Sequence, residues 1–444
     1  MSALPLASEP PAGFAATRNA CHVCTPLGAC LVFHGIQRAI PLLHGSQGCS
    51  TYIRRYLIGH FRDPVDIASS NFSETAAVHG GGPILRRGLE NVIRQYAPGL
   101  IGIATTCLSE TIGDDVSMYL HEFRRDNPDR DLPALVHVST PSYRDTHAEG
   151  FHAAVKAVAL ALAEGGPPER LVNILPGMVS PADLRYLKEI AADFELPAVI
   201  LPDYSDTLDG PSWDDYQRLP EGGTPLPALR RMGRAAATIE LGSTLDPDKT
   251  AGALLQERFA VGRLRLGLPI GIRQSDALFD LLALCADHPV PARHLAERGR
   301  LIDSYIDSHK YLFGRRAVVF GEEDLVAGLA AFLSEVGVSP VLCASGGRSG
   351  RLAEAIGRLS PGAVVRDGVD FLELEETAAE LRPDLLIGNS KGYPLSRKLG
   401  VPLVRVGFPI HDRLGASRVL HLGYRGTQAL VDRIANTLIA AQQD

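Results

Sequence analysis

The residues most suggestive of chemistry in this 444-residue chain are its seven cysteines. Cys49 follows a short apolar run, Ala39-Ile40-Pro41-Leu42-Leu43, and a polar turn, His44-Gly45-Ser46-Gln47-Gly48. A helical pattern then runs from Ser50 to His60. Cys107 repeats the arrangement after the apolar run Leu100-Ile101-Gly102-Ile103-Ala104 and the pair Thr105-Thr106. Each thiol is therefore expected at the carboxyl end of a strand and the amino end of a helix. There the helix dipole and free N–H groups favour the thiolate, the metal-binding form. In open α/β sheets this edge is also where ligands sit. Two sheet-end thiols in one unit converge on one point. The plainer reading is that each is a small residue tolerated at a tight turn. Thiolate ligands without a matched His or carboxylate point to an iron–sulfur cluster rather than to zinc with water. Their dispersal along the chain suggests a buried cluster held between elements, or between chains.

The other thiols read differently. Cys21-His22-Val23-Cys24 is a CxxC with no second CxxC, so a zinc ribbon is not supported. Thr17-Arg18-Asn19-Ala20 does not suggest the strand that a thioredoxin-type pair requires. Cys285 and Cys343 lie inside apolar runs and are expected to be small core residues.

These thiols need elements to position them. Hydrophobic residues make up 45% of the chain and charged residues 21%, ample for a core, and the length calls for two or three domains. A formal net charge of -7 gives no general electrostatic case for nucleic acid. The apolar runs are short or interrupted, so no membrane span is expected, and residues 1–17 do not read as a secretory signal. The expected compartment is the cytoplasm, where a disulfide framework is not expected. Strand-like and helix-like pieces alternate throughout, which predicts an α/β fold of three Rossmann-like parallel-sheet domains. The expected units are a flexible arm at 1–20, a thiol-bearing α/β domain at 21–165, a second at 166–300 and a third at 301–425. A C-terminal helix at 426–444 packs back. Residues 205–226 read as a long surface loop. No GxGxxG follows a strand, and Gly346-Gly347-Arg348-Ser349-Gly350 lacks the spacing and lysine of a phosphate loop.

Several motifs in order over the first third carry a resemblance. They are Cys24-Thr25-Pro26-Leu27-Gly28-Ala29, Leu43 to Cys49, Tyr52-Ile53-Arg54-Arg55-Tyr56, His60-Phe61-Arg62-Asp63-Pro64, Ser73-Glu74, Gly80-Gly81 and Thr105 to Asp115. With these the chain resembles β-type subunits of the nitrogenase component-1 superfamily (NifK-type and NifN-type chains). Among them it looks most like the K subunit of methylthio-alkane reductase. The resemblance implies the component-1 β-type fold. It also implies a P-cluster-type [8Fe-7S] cluster shared with an α-type (NifD-like) subunit in an α2β2 heterotetramer. Cys24, Cys49 and Cys107 fall on the metal-ligand positions. Ser142 falls where a serine hydroxyl can join the oxidised cluster, or is a turn or helix cap. Cys21 and Cys30 are extra to the family pattern. His79 stands where nitrogenase β chains carry phenylalanine. Arg54 and Arg55 would balance cluster charge, meet the partner or face solvent, and Glu74 and Glu110 would dock or cap.

The resemblance further implies that electrons arrive from a NifH-like ATP-dependent reductase dimer. They pass to a large iron–sulfur-carbide cofactor in the partner chain, so no catalytic residue is expected here. The reaction implied is reductive C–S cleavage of methylthio-alkanes, releasing methanethiol. A NifN-type scaffold for cofactor assembly is the alternative. The short chain is expected to argue against a dinitrogen-reducing β subunit, and the incomplete cysteine trio of dark-operative tetrapyrrole reductases makes those more distant.

Overall fold

A computed structural model of the chain describes residues 22–72, 78, 80–358 and 360–442. The arm expected at 1–20, and Cys21, Ser73, Glu74 and His79, lie outside the described residues. Three sheets form, and every strand pair in them is parallel. The first contains β1 (Ala39–His44), β2 (Ala68–Ser69), β3 (Leu100–Thr105) and β4 (Ala134–Val138), ordered β2-β1-β3-β4. The second contains β5 (Glu169–Leu175), β6 (Ala198–Ile200), β7 (Ala235–Leu241) and β8 (Gly262–Leu266), ordered β6-β5-β7-β8. The third contains β9 (Arg316–Phe320), β10 (Ser339–Ala344), β11 (Val364–Arg366), β12 (Leu385–Gly388) and β13 (Leu403–Arg405), ordered β11-β10-β9-β12-β13.

The apolar runs of β1 and β3 are buried at every position, as strands covered on both faces must be. Alternation divides their side chains. Ile40, Leu42, Ile101 and Ile103 meet Leu85, Leu89, Leu120 and Phe123 from the helices Gly82–Tyr96 and Val116–Arg125. Leu43, Leu100 and Ala104 turn to the other face and join a core that continues through all three sheets. A one-residue slip would exchange the two sets, each side chain worth about 2 kcal/mol when buried. The pairing is therefore fixed, from Ala39 opposite Leu100 to His44 opposite Thr105.

The helix Thr25–His34 is buried on every side, so it carries no helical period for a sequence reading to detect. It lies against the helix His147–Leu162 through two facing glycines. A Cβ on Gly28 would stand 1.8 Å from the His147 carbonyl oxygen, and one on Gly150 would stand 2.0 Å from that of Thr25. Backbone thus packs on backbone.

Other expectations need correction. β6 stops at Ile200 rather than Asp203, because Pro202 has no N–H to continue the ladder. The 205–226 segment is continuously exposed only over residues 210–216. Elsewhere it is tied inward, with Thr207 Oγ1 donating to His34 O at 2.7 Å and Thr224 Oγ1 to Ile200 O at 2.5 Å. Strands β7 and β8 and the helices Ala251–Phe259 and Ile272–Ala286 were not anticipated. The helix Ala292–Leu312 runs across the boundary expected at residue 300. The last helix, Gly423–Ala440, packs on it. Among the described residues no helix is long and apolar enough to cross a membrane.

The glycine contact gives a direct test. Gly28→Ala should destabilise the protein by about 3 kcal/mol, since backbone must move to admit the methyl group. Gly88→Ala, in a helix where the nearest atom is 3.6 Å from the added Cβ, should stabilise by about 0.5–1 kcal/mol. Thermal and denaturant unfolding of both variants would measure this. Equal effects would contradict the close approach.

A candidate thiol site at the end of the first sheet

Because β1, β3 and β4 pair in register, their carboxyl ends finish level. The turns and helices that leave the three strands are thereby brought together. After β1, Ser46 caps the helix Gln47–Phe61, its Oγ accepting from Gly48 N at 3.2 Å. Cys49 is the third residue of that helix, not the residue before it as expected. After β3, Thr106 caps the short helix Cys107–Thr111. Thr106 N donates to Ser109 Oγ at 3.0 Å, and Ser109 Oγ donates to His44 O at 2.8 Å, so the two turns are joined. After β4 comes Ser142, whose Oγ accepts from Thr25 N at 3.1 Å.

Cys24 is delivered separately, as the cap residue of the glycine-packed helix Thr25–His34. An antiparallel bridge to Thr146 holds its backbone, and Thr25 Oγ1 donates to Asp145 O at 2.6 Å. Cys24, Cys49 and Cys107 lie close enough that the charge of each acts on another, and the Ser142 hydroxyl lies near enough to the Cys24 thiol to act on its pKa. Cys24 and Cys49 are half-buried and Cys107 is exposed. Burial pushes the Cys24 thiol up, against the Ser142 hydrogen bond that lowers it. Burial does the same to Cys49, and the neighbouring thiols add to it. At Cys49 the expected helix-terminus advantage for the thiolate is thus outweighed in this chain alone. Among the described residues no three His, Cys, Asp or Glu side chains are placed to hold a single metal ion.

Further residues brace the site. Glu110 Oε1 accepts from Ser139 Oγ at 2.6 Å and from Thr105 Oγ1, tying the ends of β3 and β4. This bracing of strand ends is distinct from the docking and capping roles expected of it. Sequence reasoning missed His44, which is fully buried. It bonds Ser70 Oγ through Nδ1 at 3.1 Å and Asp114 Oδ2 through Nε2 at 3.0 Å. Asp114 also accepts from Gly81 N at 3.0 Å and Tyr119 OH at 3.2 Å. Burial depresses the His44 pKa, with Asp114 opposing. A signal was present in the sequence, since His44 is the one ionisable residue between an apolar strand and a glycine turn.

The remaining candidates fall elsewhere. Arg54 and Arg55 are exposed, Arg54 3.7 Å from Asp66. Cys30 and Cys343 are fully buried, and burial pushes the Cys343 thiol up to about 12. Cys285 is only partly buried, at the edge of the core. Cys30 is therefore a core residue, on the helix that Cys24 caps.

Comparison with known proteins agrees with this architecture. The family model for nitrogenase component 1 type oxidoreductase matches residues 24–439. The nitrogenase molybdenum-iron protein beta chain of Methanothermobacter marburgensis is 39% identical, over 94% of this chain and 93% of that one. The nitrogenase iron-molybdenum cofactor biosynthesis protein NifN of Bradyrhizobium diazoefficiens is 33% identical, over 96% and 90%. Among solved structures, a chain of nitrogenase Cp1 at pH 6.5 superposes with a TM-score of 0.93 at 33% identity, over 97% and 95%. Near-complete coverage of a molybdenum-iron beta chain overturns the expectation that chain length argues against that class. The chain belongs to the nitrogenase component 1 type oxidoreductase family, as a homologue of its β chains.

Proposed function

We propose that this chain is the β-type subunit of a nitrogenase-like reductase and supplies one half of a shared iron–sulfur site. Convergence of three thiols at one end of the first sheet carries the reading. They are within electrostatic reach of one another, and a thiolate-only donor set suits an iron–sulfur group. Such a group, a P-cluster-type [8Fe-7S] cluster when bound, supplies reversible one-electron transfer. Cys24, Cys49 and Cys107 would hold it as thiolates, each giving up the Sγ proton. Ser142 Oγ is a fourth donor. Thr25 N–H points at that oxygen, and such a bond favours its deprotonated form.

The site is open on one side. Cys107 is exposed, and Tyr52, Leu108, Ile112 and Tyr143 present apolar surface beside the three thiols and Ser142. Exposed apolar groups beside half-buried thiols suit coverage by a partner, here an α-type (NifD-like) subunit giving an α2β2 heterotetramer. A NifH-like ATP-dependent reductase would deliver electrons, and an iron–sulfur-carbide cofactor in the α-type chain would receive them. For the reaction we propose reductive C–S cleavage of methylthio-alkanes, on the resemblance of Tyr52-Ile53-Arg54-Arg55-Tyr56. The identity with a NifN chain supports a second reading, a scaffold for cofactor assembly.

Cys107→Ala should lower the iron content of the purified complex and weaken partner association, while this chain alone keeps its fold. Iron equal to wild type would remove Cys107 as a ligand. For the reaction, the anaerobic complex with its reductase and MgATP should release methanethiol from a small thioether. Ammonia from dinitrogen instead would reassign the substrate. No turnover by complexes with intact clusters would favour the scaffold.

A further inference from the structure

Lys391 belongs to the third sheet but reaches the thiols of the first. It sits in the tight turn Ser390–Gly392 after β12. That turn is held from several directions. Asn389 Oδ1 accepts from Lys391 N at 3.1 Å, and Asn389 Nδ2 donates to Phe408 O at 3.0 Å. Ser390 N donates to Pro409 O at 3.0 Å, and the Ser390 hydroxyl bonds Asp412. From this fixed base the partly buried side chain extends to the first unit. Its Nζ donates to His22 O at 3.3 Å, two residues before Cys24. The same ammonium lies 5.8 Å from the ring centroid of Tyr56, on the helix that carries Cys49. Two of the three thiol-bearing segments are therefore in contact with one cation.

Resting on the function proposed above, we infer that Lys391 is a positioning residue for electron transfer: a fixed cation that raises the electron affinity of the group held by Cys24, Cys49 and Cys107. A group bound by several thiolates carries negative charge, and each added electron is opposed by it. A cation in a poorly screened site offsets that cost. Arg54 and Arg55 are less suited to the task, because both are exposed to solvent and its ions. The positive charge also acts on the Cys24 thiol, in the sense that favours the thiolate. The step itself is uptake of one electron from the partner reductase, with no bond made or broken at Lys391. The third unit thus contributes to a site whose donors all lie in the first.

The test is an electron-paramagnetic-resonance redox titration of the anaerobic complex, comparing wild type with Lys391→Met and Lys391→Arg. Iron content and subunit ratio are measured on the same samples. Lys391→Met should keep its iron, and at a fixed ambient potential its reduced fraction relative to oxidised should fall roughly three- to tenfold. Lys391→Arg should restore most of the difference. If Lys391→Met loses iron, Lys391→Gln takes its place, since it removes the charge while keeping a donor for the His22 carbonyl. An unchanged titration in either iron-replete, uncharged variant overturns the inference and leaves the shared-cluster reading intact. A wild-type complex with no such cluster overturns both.

Discussion

The in-register pairing of β1 with β3, and of β3 with β4, is the constraint on which the site depends. It is enforced by apolar side chains that must reach opposite faces, and not by the thiols themselves. Once the three strands end level, Cys49, Cys107 and Ser142 have little freedom. Hydrogen bonds across the strand ends remove most of what is left, through Ser109 to His44 O and through Glu110 to Thr105 and Ser139. Cys24 needs a second device, the glycine-to-glycine packing of the helix Thr25–His34 on the helix His147–Leu162. The donors are thus preorganised by packing energy spent far from them.

On the proposed function, electrostatics gives a reason for building such a site as a half. Three thiolates brought together repel one another, and partial burial of Cys24 and Cys49 adds to the cost. In the isolated chain burial favours the protonated thiols of Cys24 and Cys49. On the proposed function, iron and a covering partner would reverse that balance together and so link loading to assembly. The exposed apolar residues around Cys107 and Ser142 fit this linkage, because they gain burial only when the site is closed.

Much of this was legible in the sequence. The strand–turn–cysteine–helix pattern at Cys49 and Cys107 carries a local signal, since glycine turns and apolar strands are short-range features. The alternation that gives parallel sheets is of the same kind. Other features were not legible. The helix Thr25–His34 is apolar on every face, so periodicity is silent there. Strand β8 reads Gly-Arg-Leu-Arg-Leu, and its arginines pair across the chain with Glu240 and the Leu245 carbonyl. Only tertiary partners make that strand stable. The bracing by His44, Asp114 and Ser70, and the reach of Lys391 from residue 391 to residue 22, join positions far apart in sequence. No local pattern announces such pairs. The meeting of Cys24 with the other thiols entered through family resemblance, and its physical cause, the facing glycines, became visible only in the fold.

The proposed function requires iron between this chain's thiols and a partner's surface. The most direct test is an anomalous difference map, recorded at the iron edge, from anaerobic crystals of the complex. A compact multi-iron peak is expected, bounded on one side by Cys24, Cys49 and Cys107 and on the other by the partner. A map with no iron there, from crystals whose partner chain carries its own cofactor, would contradict it.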